Sequence, residues 1–146
     1  MRFKNSLKEL KKALQNFEES LNINVSIYPE NIKDSIESGQ IQKFEFNIEL
    51  LWKTIKFFLF EEEGIDEGSP KGVIKKCFNL GLLDYEDFEN LIRMIDDRNY
   101  LSHVYKKEMY QGILKRLPVY LKLMKEVAIV LDQRDRKVGE ADKKID

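Results

Sequence analysis

The apolar positions of this chain recur at intervals of three and four, the spacing that gathers them on one side of an α-helix. Leu7, Leu10, Leu14, Phe17 and Leu21 define a first helix. The stretch NINVSIYP then alternates Val25 and Ile27 with polar residues, and an extended connector into Pro29 is expected there, with a short strand as the alternative. A second helix is predicted from Glu30 to about Glu62, weakened at Gly39 and carrying a wide stripe of Ile41, Phe44, Ile48, Leu51, Trp52, Ile55, Phe58 and Leu59. Gly64 stands where a left-handed C-terminal cap falls. Ser69, Pro70 and Gly81 punctuate a third helix, with Val73, Ile74, Cys77 and Phe78 on its apolar side. Asp84 caps a fourth, whose acidic first turn suits the positive pole of the helix and whose stripe is Phe88, Leu91, Ile92 and Ile95.

A fifth helix is predicted from about Lys106 to Leu131 on Ile113, Leu117, Leu121, Met124, Ala128 and Leu131, with a kink at Pro118. Residues 132–146 are charged throughout and read as a frayed tail, which leaves 1–131 as the single domain. Stripes of this kind bury one another in an all-α antiparallel bundle of four to five helices.

Composition narrows the partners more than the fold. Lysine and arginine number 25 against 26 aspartates and glutamates, a net charge of −1, so bulk electrostatic attraction to nucleic acid is excluded and any RNA contact has to be local. The lone Cys77 rules out an internal disulfide and a multi-cysteine metal site and fits a reducing compartment. It reads as a small buried hydrophobe. The longest apolar run, FFLF at 57–60, is far too short to span a membrane, and MRFKNSLKEL lacks the apolar core of a signal peptide. The chain is therefore read as cytoplasmic, with no membrane partner. No phosphate-cradling glycine loop is present, and neither a cofactor nor a metal is expected.

The chemistry concentrates in residues 96–105, DDRNYLSHVY, which contain the only histidine. At 100° per residue from Ile95, Asn99 and Ser102 fall about 40° and 20° from the centre of the fourth helix's stripe, which turns polar there. Arg98 and His103 flank it, about 140° apart, too far to meet on one regular helix. Either the helix ends early and folds His103 back, or a second copy completes the site across a two-fold seam. These residue types suit metal-independent phosphodiester cleavage. Histidine works as a general acid or base near neutrality, and arginine grips phosphate bidentately. Asn99 and Ser102 supply hydrogen bonds, and an RNA substrate brings its own 2′-hydroxyl nucleophile.

The plainer alternative is that Arg98 and His103 face the negative pole of their helix while Asp96 and Asp97 form surface ion pairs. A phosphate site requires those two carboxylates to point elsewhere. Lys106, Lys107, Lys115 and Arg116 are candidates for local positive potential. Trp52, Phe57 and Phe58 are read as packing residues, not a base-stacking platform.

RNYLSHVY matches the R-x4-H-x-Y pattern of HEPN-domain proteins of the HepT type. The ordered set IQKFEFNIELLWKTIKFFLFEEEG, SPKGVIKKCFNLGLLD and DDRNYLSHVY, from Ile41 to about Val127, resembles the proteins named nucleotidyltransferase substrate-binding. The resemblance implies a dimerising helical bundle encoded beside a minimal nucleotidyltransferase. It implies a metal-independent ribonuclease toxin in which Arg98 and His103 are catalytic, Asn99 is the polar neighbour of the arginine, and Tyr105 receives the silencing AMP group. Its older name implies the alternative, a non-catalytic subunit that presents substrate to the nucleotidyltransferase. A dimerisation module with no site is the third possibility.

Overall fold

The computed structural model describes residues 2–103 and 106–145, with side chains through 141. Five α-helices account for most of the described chain: α1 (Arg2–Leu21), α2 (Glu30–Glu63), α3 (Pro70–Asn79), α4 (Tyr85–His103) and α5 (Lys107–Ile145). No strand occurs among the described residues.

The pairing of side chains along the helices gives their directions. Between α1 and α2, Phe3 meets Phe58, Ser6 meets Thr54, Asn47 donates to the Ala13 carbonyl, Lys43 reaches Asn16 and Gln40 donates to the Ser20 carbonyl. One number rises as the other falls, so the two helices are antiparallel. Lys11 with Asp132 and Lys125 with Glu18 set α5 antiparallel to α1 in the same way. Lys71 with Asp96 and Phe78 with Phe88 close α3 and α4 into a second hairpin. The antiparallel helical bundle expected from the apolar periodicity is the fold observed.

α2 is the central element, packed against each of the other four helices. Its Phe44, Leu51, Ile55, Phe58 and Leu59 are at most 1% exposed, and Leu10 and Phe17 of α1, Val73 and Ile74 of α3, Leu91 of α4 and Met124 of α5 close around them. Each such side chain contributes roughly 1.5–3 kcal/mol relative to an exposed position. Phe44 also stacks on Tyr120 of α5, at 5.5 Å between centroids.

The expected punctuation is present. Gly64 ends α2 with φ +66°, and the Ile65 N–H reaches back to the Leu59 carbonyl at 2.9 Å. Ser69 Oγ accepts the Gly72 N–H ahead of α3, and Asp84 Oδ1 accepts the Asp87 N–H ahead of α4.

Two expectations change. The connector at Val25–Ile27 is neither a strand nor extended; it is a single 3₁₀ turn, because Asn24 caps it by accepting the Ser26 N–H and so favours a turn locally. The last helix does not stop near Leu131 but continues to Ile145. Leu131 is the end of its buried stripe, beyond which Lys11 and Arg136 pair with Asp132 and sustain the charged turns. Pro118 lies inside α5 without ending it. No helix among the described residues is long and apolar enough to cross a membrane.

Candidate functional site on the last turns of α4

The buried face of α4 does not follow an ideal 3.6-residue period. Leu91, Met94, Ile95 and Asp97 are buried, and Arg98, Tyr100 and Leu101 are half-buried. Asn99 and Ser102, expected near the centre of the stripe, are exposed instead, and Ser102 Oγ donates to the Arg98 carbonyl at 3.2 Å.

Successive residues on α4 point to different helices. Asp96 turns to α3, where Lys71 Nζ lies 2.6 Å away. Asp97 is buried against α5. Its Oδ2 and Oδ1 accept the Arg116 Nε–H and Nη2–H, each at 3.0 Å, and Oδ2 accepts the Tyr120 hydroxyl at 2.6 Å. Burial and the adjacent Asp97 push the Tyr120 phenol above its ordinary range. Neither carboxylate is free to face a phosphate at Arg98. Arg116, a candidate for positive potential, is committed to Asp97 instead.

Arg98 turns toward α2. Its Nη2 lies 2.9 Å from Glu49 Oε2 as an ion pair; the same oxygen accepts the Trp52 indole N–H at 3.0 Å, and Lys53 lies 3.2 Å from Oε1. Burial alone would raise the Glu49 carboxyl, but the hydrogen bonds from Trp52 and Lys53 and the Arg98 charge outweigh it and hold Glu49 below its ordinary value. Glu45, one turn earlier, is shifted upward by burial against the pull of Arg98.

His103 is exposed on the last residue of α4. It is still helical, so the helix does not end early and fold the imidazole back. Five residues along a helix separate it from Arg98 by about 7.5 Å of rise and about 140° of rotation. No hydrogen bond joins the two among the described residues. Tyr105 lies outside the described residues. Lys106, Lys107 and Lys115 are exposed around the first turns of α5. A groove of about 630 Å³ between α1 and α2, over Ala13, Phe46 and Leu50, is lined by neither Arg98 nor His103. Among the described residues no three His, Cys, Asp or Glu side chains are gathered as a metal site.

Glu49, Trp52 and the Asp97–Arg116–Tyr120 cluster carry the geometry; by sequence Trp52 reads as a packing residue, Asp97 as a surface ion pair and Arg116 as local positive potential, and neither Glu49 nor Tyr120 is singled out. Glu45 and Glu49 at the edge of the α2 stripe were the available signal, since a carboxylate bordering an apolar stripe needs a partner on the helix that covers it.

Fold and site together define an all-α bundle with a polar, charge-linked end on α4. The chain matches the model of the family described as nucleotidyltransferase substrate binding protein like over residues 4–133, and it belongs to that family. A crystal structure from Thermus thermophilus is similar at 34% identity and a TM-score of 0.73, over 84% of this chain and 98% of that one. A Haemophilus influenzae structure, described as having the fold of a substrate-binding domain of a nucleotidyltransferase, shares the fold at 22% identity and a TM-score of 0.70, over 86% of this chain and 98% of that one. A protein of the same organism named "Probable ribonuclease HepT" is 28% identical over 97 residues. That match spans 64% of this chain and 65% of the relative's own length, just short of two thirds.

Proposed function

We propose that this protein is the HEPN member of a two-component pair, a metal-independent ribonuclease acting in the cytoplasm and silenced by a minimal nucleotidyltransferase encoded beside it. The observation that carries the reading is the divergence of Asp96, Asp97 and Arg98. The two carboxylates are tied to Lys71 and Arg116, while Arg98 stays one-third exposed on the helix that ends in His103.

In this reading Arg98 holds the non-bridging phosphate oxygens and offsets the extra charge of the transition state. His103 takes the proton of the RNA 2′-hydroxyl, whose oxygen attacks the adjacent phosphorus as the bond to the 5′-oxygen breaks, and the departing 5′-oxygen takes a proton from water. A 2′,3′-cyclic phosphate results. Arg98 and His103 diverge on one helix, so the working unit is a homodimer in which each copy contributes to a shared seam. Asn99 and Ser102 support the site by hydrogen bonding. Tyr105 is the modification site: its hydroxyl attacks the α-phosphorus of the partner's nucleoside triphosphate, pyrophosphate leaves, and the attached phosphate occupies the anion site.

The family description supports a second reading, a non-catalytic subunit that presents substrate to the nucleotidyltransferase. Incubating the purified protein with RNA in EDTA separates the two. Cleavage by the unmodified protein, lowered about 100-fold or more in both Arg98→Ala and His103→Ala, is the expected result. Equal activity in both variants removes the proposed site. A protein that cleaves nothing but co-purifies with the nucleotidyltransferase establishes the second reading.

A further inference from the structure

We infer that Glu49, itself fastened by the indole N–H of Trp52, is the positioning residue that aims the Arg98 guanidinium at the phosphate site. The inference rests on the ribonuclease reading and adds to it two residues of α2.

A guanidinium on a flexible stem is a poor phosphate ligand until its direction is fixed, because the ordering has to occur as the anion binds. Here an ion pair with a carboxylate that is itself anchored biases that direction beforehand. Glu49 is held from its own helix at both oxygens, by Trp52 three residues on and Lys53 four residues on. Trp52 packs against the core, so the direction of its N–H is set by packing and not by solvent. The carboxylate so fixed meets Arg98 through Nη2 at 2.9 Å. This single contact leaves Nε and Nη1 of Arg98 for a phosphate.

Arg116 shows the contrast. It gives both Nε and Nη2 to Asp97, with a side chain 24% exposed against 34% for Arg98. Two-point pairing in a more buried setting satisfies a guanidinium, whereas one-point pairing at the rim orients it and leaves its fork open. Lys53 beside Glu49 offsets that carboxylate's charge, while Glu45 one turn earlier adds a second carboxylate near Arg98.

This arrangement predicts a split between binding and turnover. Glu49→Ala removes a negative charge near the phosphate while freeing Arg98 to sample other directions. Glu49→Gln keeps an acceptor, and Trp52→Phe keeps the packing while deleting the N–H. Binding is read by fluorescence anisotropy of a fully 2′-O-methylated oligoribonucleotide, which cannot cleave itself, and turnover by single-turnover cleavage of the unmodified strand, both in EDTA. The restraint on Arg98 is read from its ¹⁵N guanidinium signals, assigned with Arg98→Lys.

Glu49→Ala is expected to bind the methylated strand no more weakly than the parent, to cleave about tenfold more slowly or worse, and to show averaged Arg98 Nη signals. Glu49→Gln recovers part of the rate, and Trp52→Phe shows a smaller loss of the same kind. Equal losses in binding and cleavage, faster cleavage (the carboxylate then being a plug), or unchanged Arg98 signals each overturn the inference. A parent protein that cleaves no RNA defeats the ribonuclease reading instead, and the Arg98 signals then decide the positioning role alone: averaging in Glu49→Ala upholds it, no change ends it.

Discussion

Asp97→Asn tests the anchor that ties α4 to α5 and thereby sets the direction in which Arg98 leaves the helix. Asp97 is 7% exposed and accepts three hydrogen bonds, two from Arg116 and one from Tyr120. Asparagine has the same shape but replaces one acceptor oxygen with an amino group, which would face an Arg116 N–H or the Tyr120 hydroxyl. Hydrogen bonds to a charged group are worth about 1.5–3 kcal/mol each, and removing one partner of a buried pair costs about 3–5 kcal/mol. The Arg116 side chain is 24% exposed and can turn partly to water, which places the expected loss at the lower end, about 3 kcal/mol. For a chain of this length that corresponds to a fall in Tm of roughly 10 °C.

The assay is urea and thermal unfolding followed by the helical circular dichroism signal at neutral pH. The companion variant Asp97→Leu/Arg116→Met/Tyr120→Phe removes all three polar groups together and is expected to recover at least half of the loss, since no uncompensated charge remains. A single Asp97→Asn variant within about 0.5 kcal/mol of the parent would refute the claim that this cluster anchors α4.

Other groups give independent checks. Tyr120 keeps its proton in the folded chain above its ordinary value of 10.0, while the unfolded chain loses it there. The folded state then binds more protons, so this group's stability contribution is intact below pH 10 and declines as pH rises further; urea midpoints across pH 9–11 should slope less steeply in Tyr120→Phe than in the parent. Gly64→Ala meets no steric obstacle but places a Cβ at φ +66°, so a loss of about 1–2 kcal/mol is expected in urea unfolding, with Gly64→Asn losing less. Cys77 is 1% exposed, and burial pushes its thiol up to about 12. Its reaction with a disulfide reagent at pH 8 should follow global unfolding, and a rapid native-state burst would contradict the packing of α3.

The order of the helices and the bounds of α2 and α3 were legible because each helix has its own apolar stripe and these two have their own stops. Ser69 and Pro70, Asp84, and Gly64 act through backbone groups within a few residues, so their effect is local. The facing of the last turns of α4 was misjudged because burial there depends on which neighbouring helix covers each position: Asp97 is buried against α5 and Arg98 half-buried toward α2, while Asn99 and Ser102 are left to solvent. The end of α5 was missed for a related reason: loss of apolar periodicity marks where burial stops, not where helix stops.

Arg98, Asn99, Ser102 and His103 could be named from residue type and resemblance alone. What each faces could not. Asp97 and Arg116 are 19 residues apart on different helices, and Arg98 and Glu49 are separated by a third of the chain. Periodicity and capping are short-range properties written into neighbouring residues, and they determined five helices, their apolar faces and a bundle. Which carboxylate neutralises which arginine depends on how those faces lock together. Only the packed bundle, where a charge cannot be buried without its partner, assigns Arg116 to a structural pair and leaves Arg98 open at the rim.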